Sequence, residues 1–390
     1  MCERPPATSV EEVRFTSVFR YGSLLKAIGS ALSPGRIGIG MVVLALLVGG
    51  GQIWDAATAS DSMTAPFGGT VQWIEGAAGK MMDATVTLDP AAFVEATRDL
   101  LWGTPTRLWD SGHRWFVILF GIWTAAVLAF GGGLLCRLEA VSVATNDVAR
   151  LNPALAMVLP RWPSFFGAVV TPLVMAGVLS LMLIVFGFVL LNIPAINIIG
   201  GLLYGVALLF GLGVAMLILA FIVSGLLLLP VVATENCDGA DAMHRAIAYV
   251  VAKPLTWMLY LFTIMLGLAL GLLLVGGVAT FMVALTGELA SAWVSADLMN
   301  HAAVLARNGE LPEMHWHTRF TAGLIAFWTS LVNWAIGGWV VAYLMAASTR
   351  AYLLLRRSCD AQDEREIWWP GLIRGTLAPE PPQTDRDPQG

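Results

Sequence analysis

The stretch 162-WPSFFGAVVTPLVMAGVLSLMLIVFGFVLLNIPAINIIGGLLYGVALLFGLGVAMLILAFIVSGLLLLPVVAT-234 runs for 73 residues, Trp162 to Thr234, without an Asp, Glu, Lys, Arg or His. Crossing a hydrocarbon core of ~30 Å takes about 20 apolar residues, so this run crosses a membrane at least twice. Asn192, Pro194 and Asn197 interrupt it near the middle. That interruption predicts a tight turn between two helices of about 25 and 30 residues.

Four further uncharged runs, Ile37 to Trp54, Trp115 to Cys136, Pro254 to Gly287 and Phe320 to Thr349, are each long enough for one crossing. The expected fold class is therefore all-α: a polytopic membrane helix bundle with six transmembrane helices and short amphipathic cytoplasmic helices. The spans fall at about 37–54, 115–136, 166–190, 200–228, 256–284 and 322–347. Together they make a membrane domain over 37–357, with a cytoplasmic segment 1–36 before it and a cytoplasmic tail 358–390 after it. Composition agrees: 57% of residues are hydrophobic and 13% charged, against about 25% charged in soluble domains.

Six crossings put both termini on one side, and Lys and Arg concentrate in cytoplasmic loops. The ranges 1–36, 137–165, 233–254 and 349–390 hold 16 of the Lys and Arg residues, whereas 55–114 and 285–321 hold 6. Both termini are expected in the cytoplasm of a bacterial cell, with the chain in its inner membrane and loop 55–114 outside. Ala56, Ala57 and Ala59 follow the first run as a signal-peptide cleavage site would require. That run is 18 residues long, however, and is preceded by 36 residues that include an amphipathic stretch, Glu11 to Leu32, so it reads as an uncleaved span.

In loop 55–114, Asp89-Pro90 is an N-cap and first-turn pair. It opens a helix with Phe93, Leu100, Leu101 and Trp102 toward one side. Trp54, Trp102, Trp109 and Trp115 fit an interfacial aromatic belt. The tail from Ala378 has four prolines and four charged residues among thirteen and is expected to be disordered. Trp368 and Trp369 just before it are expected on the cytoplasmic membrane surface. The formal charge of -5 is small and dispersed, which excludes nucleic acid as a partner. Cys2, Cys136, Cys237 and Cys359 show no metal-ligand spacing and read as reduced thiols.

Asp241 to Lys253 reads as a short amphipathic helix ended by Pro254. At an offset of 92 residues, Ala154, Ala156, Val158 and Arg161 fall on Ala246, Ala248, Val250 and Lys253, a weak internal repeat of a cytoplasmic helix leading into a span. The run Leu229-Pro230-Val231-Val232, then Glu235, Asp241-Ala242, Arg245, Tyr249 and Lys253-Pro254, with the closing Arg350 to Arg356, resembles a known group. The group is the six-helix membrane domain found beside some bacterial glycerophosphodiester phosphodiesterases and in related bacterial membrane proteins. The resemblance covers about Gly121 to Arg357. Ala246 stands where the group has Ser. What the resemblance implies is a fold, because the phosphodiesterase barrel, about 250 residues with metal-binding carboxylates, is not in this chain.

For the motif Glu235, Asp241, Arg245, Tyr249, Lys253 and Arg350 the expectation is structural: Glu235 or Asp241 pairs with Arg245 or Arg350 to hold the loops. His113, His301, His315 and His317 fall on the outer side, and His315 and His317, beside Glu313 and Met314, form the densest donor cluster. A His-x-His pair supplies only two metal ligands, so ordinary interfacial histidines are expected and no cofactor is assigned. Gly201-x-x-x-Gly205 and Gly267-x-x-x-Gly271 are expected to pack helices within the chain, although homo-oligomer contacts have the same signature. No nucleophile with a base, carboxylate pair or phosphate loop supports an enzyme. The spans carry no ionisable residue at mid-depth; Asn333, Ser180, Thr171 and Thr280 are their polar exceptions. A non-catalytic scaffold or accessory subunit, with a protein partner on its cytoplasmic face, is the leading expectation. A transporter of a lipid or small solute is the alternative, which a polar cavity at Asn333 and Thr280 would favour.

Overall fold

The computed structural model describes residues 22–379 other than 59–64, 88, 195, 293–295, 307–314 and 377. Among the described residues the elements are helices: α1 (Gly22–Ala31), α2 (Pro34–Thr58), α3 (Pro66–Val86), α4 (residues 90–110), α5 (Arg114–Thr145), α6 (Leu151–Leu191), α7 (Asn197–Leu202), α8 (Tyr204–Glu235), α9 (Gly239–Ala252), α10 (Pro254–Ser291), α11 (Ala296–Ala306) and α12 (Trp316–Asp360). Six of them, α2, α5, α6, α8, α10 and α12, are long and apolar enough to cross a membrane. The protein is an all-α polytopic bundle.

The 73-residue run divides where its polar residues stand, with α6 ending at Leu191 and α8 beginning at Tyr204. The first of the pair is longer than expected. The segment of Ala154, Ala156, Val158 and Arg161, read as a cytoplasmic helix leading into the span, is continuous with it in one helix of 41 residues, Leu151–Leu191, despite Pro160, Pro163 and Pro172. Each proline removes a hydrogen bond, but Ala154, Val158, Phe165, Ala168, Pro172 and Ala176 form one buried stripe through all three. That stripe packs against α5, α8 and α9 and holds the axis together. At 1.5 Å per residue the helix is about 60 Å long, so it tilts or projects beyond the bilayer.

Loop 55–114 contains two helices, α3 as well as the expected α4. Asp89 caps the latter by accepting from the Ala91 and Ala92 amides at 2.9 and 3.1 Å. The side chains of Phe93, Leu101 and Trp102 lie outside the described residues, as do Cys2, residues 11–21 of the amphipathic stretch, and residues 380–390 of the tail expected to be disordered. Trp54 packs edge-on to Phe116, and the Trp109 ring faces Arg114.

α12 is the hub, touching α1, α2, α5, α8, α9, α10 and α11. Its contacts require small residues. A Cβ on Gly40 of α2 would overlap the Gly338 carbonyl, and one on Gly271 would overlap the Trp339 ring. One on Gly267 would overlap the Tyr343 hydroxyl, which donates to the Ile264 carbonyl at 2.8 Å. Gly201 and Gly205, expected to pack in the same way, have nothing within 4 Å of a built Cβ. The chain breaks helical geometry at Leu203, so Gly201 belongs to α7 and Gly205 to α8, and the two share no continuous helix face.

Burial is uneven along the bundle axis. At the end carrying α1 and the close of α12, here the terminal end, Gly133 to Ala140 of α5 and Leu227 to Glu235 of α8 are buried without interruption. Toward the opposite end, α6 has no buried residue beyond Ala176 and α10 none beyond Gly271. Those surfaces are Leu, Val, Ile and Phe, suited to lipid.

Replacing Gly338 or Gly271 by Leu is expected to cost at least about 2 kcal/mol through overpacking. Gly201→Leu and Gly205→Leu are expected to leave stability unchanged. Thermal unfolding of the four variants in one detergent, followed by size-exclusion chromatography, separates the two classes.

Candidate functional site at the terminal end

Charged side chains concentrate where the packing is densest. Glu139 of α5 is completely buried. It accepts from Ser30 of α1, Arg36 of α2 and Arg350 of α12. Arg36 also donates to the Leu138 carbonyl at 3.2 Å and the Ser142 hydroxyl at 2.8 Å, and Arg350 donates to the Ser23 carbonyl at 3.3 Å. One carboxylate thus joins four helices.

Glu235, the last residue of α8, is the centre of a second node. It accepts from Arg245 of α9 and from the Tyr352 hydroxyl of α12, and the fully buried Arg356 lies 3.8 Å from it. Tyr249 of α9 donates to Asp360 of α12. Burial, then the Asp360 hydrogen bond and the Glu235 charge, raise the Tyr249 phenol above its ordinary range. Between the nodes, the buried Arg137 donates to the carbonyls of Ala233 and Trp368, both at 2.9 Å, and its guanidinium faces the Trp369 ring at 5.4 Å.

The chain after α12 folds back over this region as a strap. The last four carbonyls of a helix have no partner within it. For α8 the strap supplies donors: the Trp368 amide bonds to the Thr234 carbonyl at 2.7 Å and the Gly375 amide to the Glu235 carbonyl at 3.0 Å. Gly375 has φ of +72°, a conformation that favours glycine, and its own carbonyl accepts from Arg245 at 2.9 Å. Arg356 donates to the carbonyls of Asp363 and Glu366, and Ile367 is buried beneath the strap. Trp368, expected on the membrane surface, therefore docks on protein.

The two nodes and Arg137 comprise five guanidinium groups and three carboxylates, Asp360 included, a net of two positive charges. Such an arrangement fixes helix positions. Both glutamates are saturated by cations and hydroxyls, and cavities open among α3 and α4 or along the sides of α8, α9 and α12, with neither Glu139 nor Glu235 among their described lining residues.

Of the residues singled out in the sequence, the structure brings Glu235 and Arg245 into an ion pair and places Tyr249 at the same node. Arg350 belongs to the other node, its partner being Glu139 rather than Glu235 or Asp241. Asp241 and Lys253 are exposed and make no ion pair among the described residues. The sequence reading missed Glu139, Arg36 and Arg356. The signal available for Glu139 was its position only three residues beyond the uncharged run that ends at Cys136. The His315 and His317 rings lie 5.6 Å apart, and no third metal-ligand side chain joins them among the described residues. Gly267 and Gly271 line the α10–α12 contact.

Comparison with family models, curated proteins and solved structures finds no match.

Glu139→Gln leaves two arginines facing a neutral amide in a buried site and is expected to destabilise the bundle by about 3–5 kcal/mol. Asp241→Asn is expected to leave the unfolding temperature unchanged, and the two variants are compared by thermal unfolding in detergent. Burial, reinforced by the Glu235 carboxylate, pushes the Cys237 thiol from 9.0 up to about 12. The folded state holds this proton more tightly than the unfolded chain. The resulting stabilisation is complete below about pH 8.5 and is lost as pH rises from there toward the folded value. Native alkylation at pH 8 should therefore spare Cys237, whereas alkylation in denaturing detergent should modify it, as read by peptide mass spectrometry.

Proposed function

We propose that this protein is a non-catalytic scaffold or accessory subunit of a bacterial inner membrane, with both chain termini in the cytoplasm. The observation that carries the reading is the terminal-end network: its two buried glutamates are paired with arginines and hydroxyls, and a strap folds over them. Arg36, Arg137, Glu139, Glu235 and Arg356, the buried charged side chains of the network, lack the exposure that acid–base chemistry requires. Asn333 and Thr280, the polar residues that a hydrophilic path would use, lie exposed on the bundle surface.

The orientation rests on charge. Lys and Arg are concentrated in the ranges assigned to the cytoplasm, and the buried excess of arginine lies at the same end. Anionic headgroups of a cytoplasmic leaflet complement that excess. A protein partner at this face would meet the strap and the outer surface of α9, where Asp241, His244 and Lys253 are exposed. The resemblance noted in the sequence is consistent with this proposal, since it concerns a membrane domain and implies fold more than function.

A second reading, a carrier of a lipid or apolar solute, draws on one observation. Met216, Leu219, Val223 and Ser224 of α8 and Ile247, Val250 and Val251 of α9 border a nearly all-apolar groove of about 400 Å³ that opens sideways.

Native mass spectrometry after gentle detergent extraction distinguishes the two. The scaffold reading expects a second polypeptide at fixed stoichiometry. A chain that emerges alone, and that exchanges labelled phospholipid between the leaflets of proteoliposomes, would replace it with the carrier reading.

A further inference from the structure

At the end of the bundle opposite the buried network, α3 and the segment 104–113 border an open cavity of about 600 Å³, within the ~300–1,000 Å³ typical of small-molecule sites. Its walls include Gln72, Trp73, Thr104, Arg107, Ser111 and His113, and no Asp or Glu is among its described lining residues. The Arg107 guanidinium carbon lies over the Trp73 ring, 3.8 Å from its centre, and the Lys80 ammonium approaches the same ring at 5.8 Å. Neither cation makes an ion pair among the described residues, in contrast to Arg98 on the same helix, which faces Glu95 and Asp99.

A guanidinium stacked on an indole keeps its N–H groups in its own plane and directed away from the ring, so stacking orients the fork without occupying it. His113 shares its Nδ1 with the Ser111 hydroxyl at 3.1 Å, which leaves Nε2 for a further partner. Trp73 is itself fixed, its Nε1 donating to the Asp99 carbonyl at 3.3 Å. The lining thus combines a cation, an amide, an imidazole and hydroxyls, with no carboxylate among the described lining residues. Arg107, Gln72 and His113 offer more donors than the two oxygens of a carboxylate need and suit the three oxygens of a phosphate group.

We propose that this cavity binds a phosphate-bearing small molecule, with Arg107 as the bidentate donor and Gln72 and His113 completing the contacts. The phosphate belongs either to a free solute or to the headgroup of a phospholipid in the adjoining leaflet.

The test uses the purified full chain, Arg107→Gln, Gln72→Ala and, as a control, Arg98→Gln. Inorganic phosphate is titrated in lipid-free neutral detergent against the unfolding temperature. Retention of phosphatidylglycerol over phosphatidylcholine is read by native mass spectrometry from nanodiscs containing both. A saturable rise with phosphate, weakened at least about tenfold by Arg107→Gln and by Gln72→Ala but not by Arg98→Gln, supports a free solute; the factor corresponds to loss of one charge-assisted contact. Selective phosphatidylglycerol retention with the same variant pattern supports the headgroup. The absence of both effects, or equal binding by Arg107→Gln and the parent chain, overturns the proposal. Gln72→Ala leaves the Trp73–Arg107 stack in place, so it reports on the site even if Arg107→Gln unfolds.

Discussion

An ionised carboxylate that is cut off from water must be surrounded by donors and positive charge, or the fold that buries it does not form. Glu139 and Glu235 impose that requirement twice within one bundle, and each recruits its partners from several helices. Arg36 fixes α2 against α5, Arg350 fixes α12 against both, and Ser30 draws in α1. Arg245, Tyr352 and Arg356 do the same for α8, α9 and α12. Apolar contacts between membrane helices discriminate poorly among alternative registers, since lipid tails are as apolar as leucine. Charge pairs of fixed geometry discriminate sharply, which accounts for the density of packing around them.

The rest of the architecture follows from where these nodes lie. Close approach at the terminal end is possible only because glycines stand at the crossings, with Gly40 against Gly338 and Gly271 against Trp339. Away from the nodes α6, α8 and α10 present bare apolar surfaces, for which a bilayer is sufficient solvent. The strap belongs to the charged end for the same physical reason. The carbonyls that close α8 need donors once water is excluded, and Trp368 and Gly375 bring them from a part of the chain more than a hundred residues away. α8 is thus completed by residues that follow α12.

Local reading worked where the signal was local. The uncharged runs mark all six spans; Asp89-Pro90 marks a helix start with the expected cap, and the amphipathic stretch ending at Pro254 is α9. It also brought together Glu235 and Arg245, which are ten residues apart on either side of one short turn. It did not reach the partner of Arg350, because Glu139 is 211 positions distant and nothing in either neighbourhood identifies the other. The same limit affects the glycine motifs. Gly267-x-x-x-Gly271 and Gly201-x-x-x-Gly205 look alike, but only the first lies on an unbroken helix facing the aromatic side chains of α12.

The sequence by itself determined the solvent of this protein, the number of its crossings and the chemical character of its loops, because each depends on composition summed over about 20 neighbouring residues. Tertiary structure alone decided which helices touch, that α6 runs straight through three prolines, which arginine answers which glutamate, and that α3 and α4 fold around a cavity containing Arg107. Hydropathy is a property of each residue and survives in any fold. A contact between distant residues exists only after every helix has chosen its neighbours, a choice governed by close packing and buried charge along the whole chain.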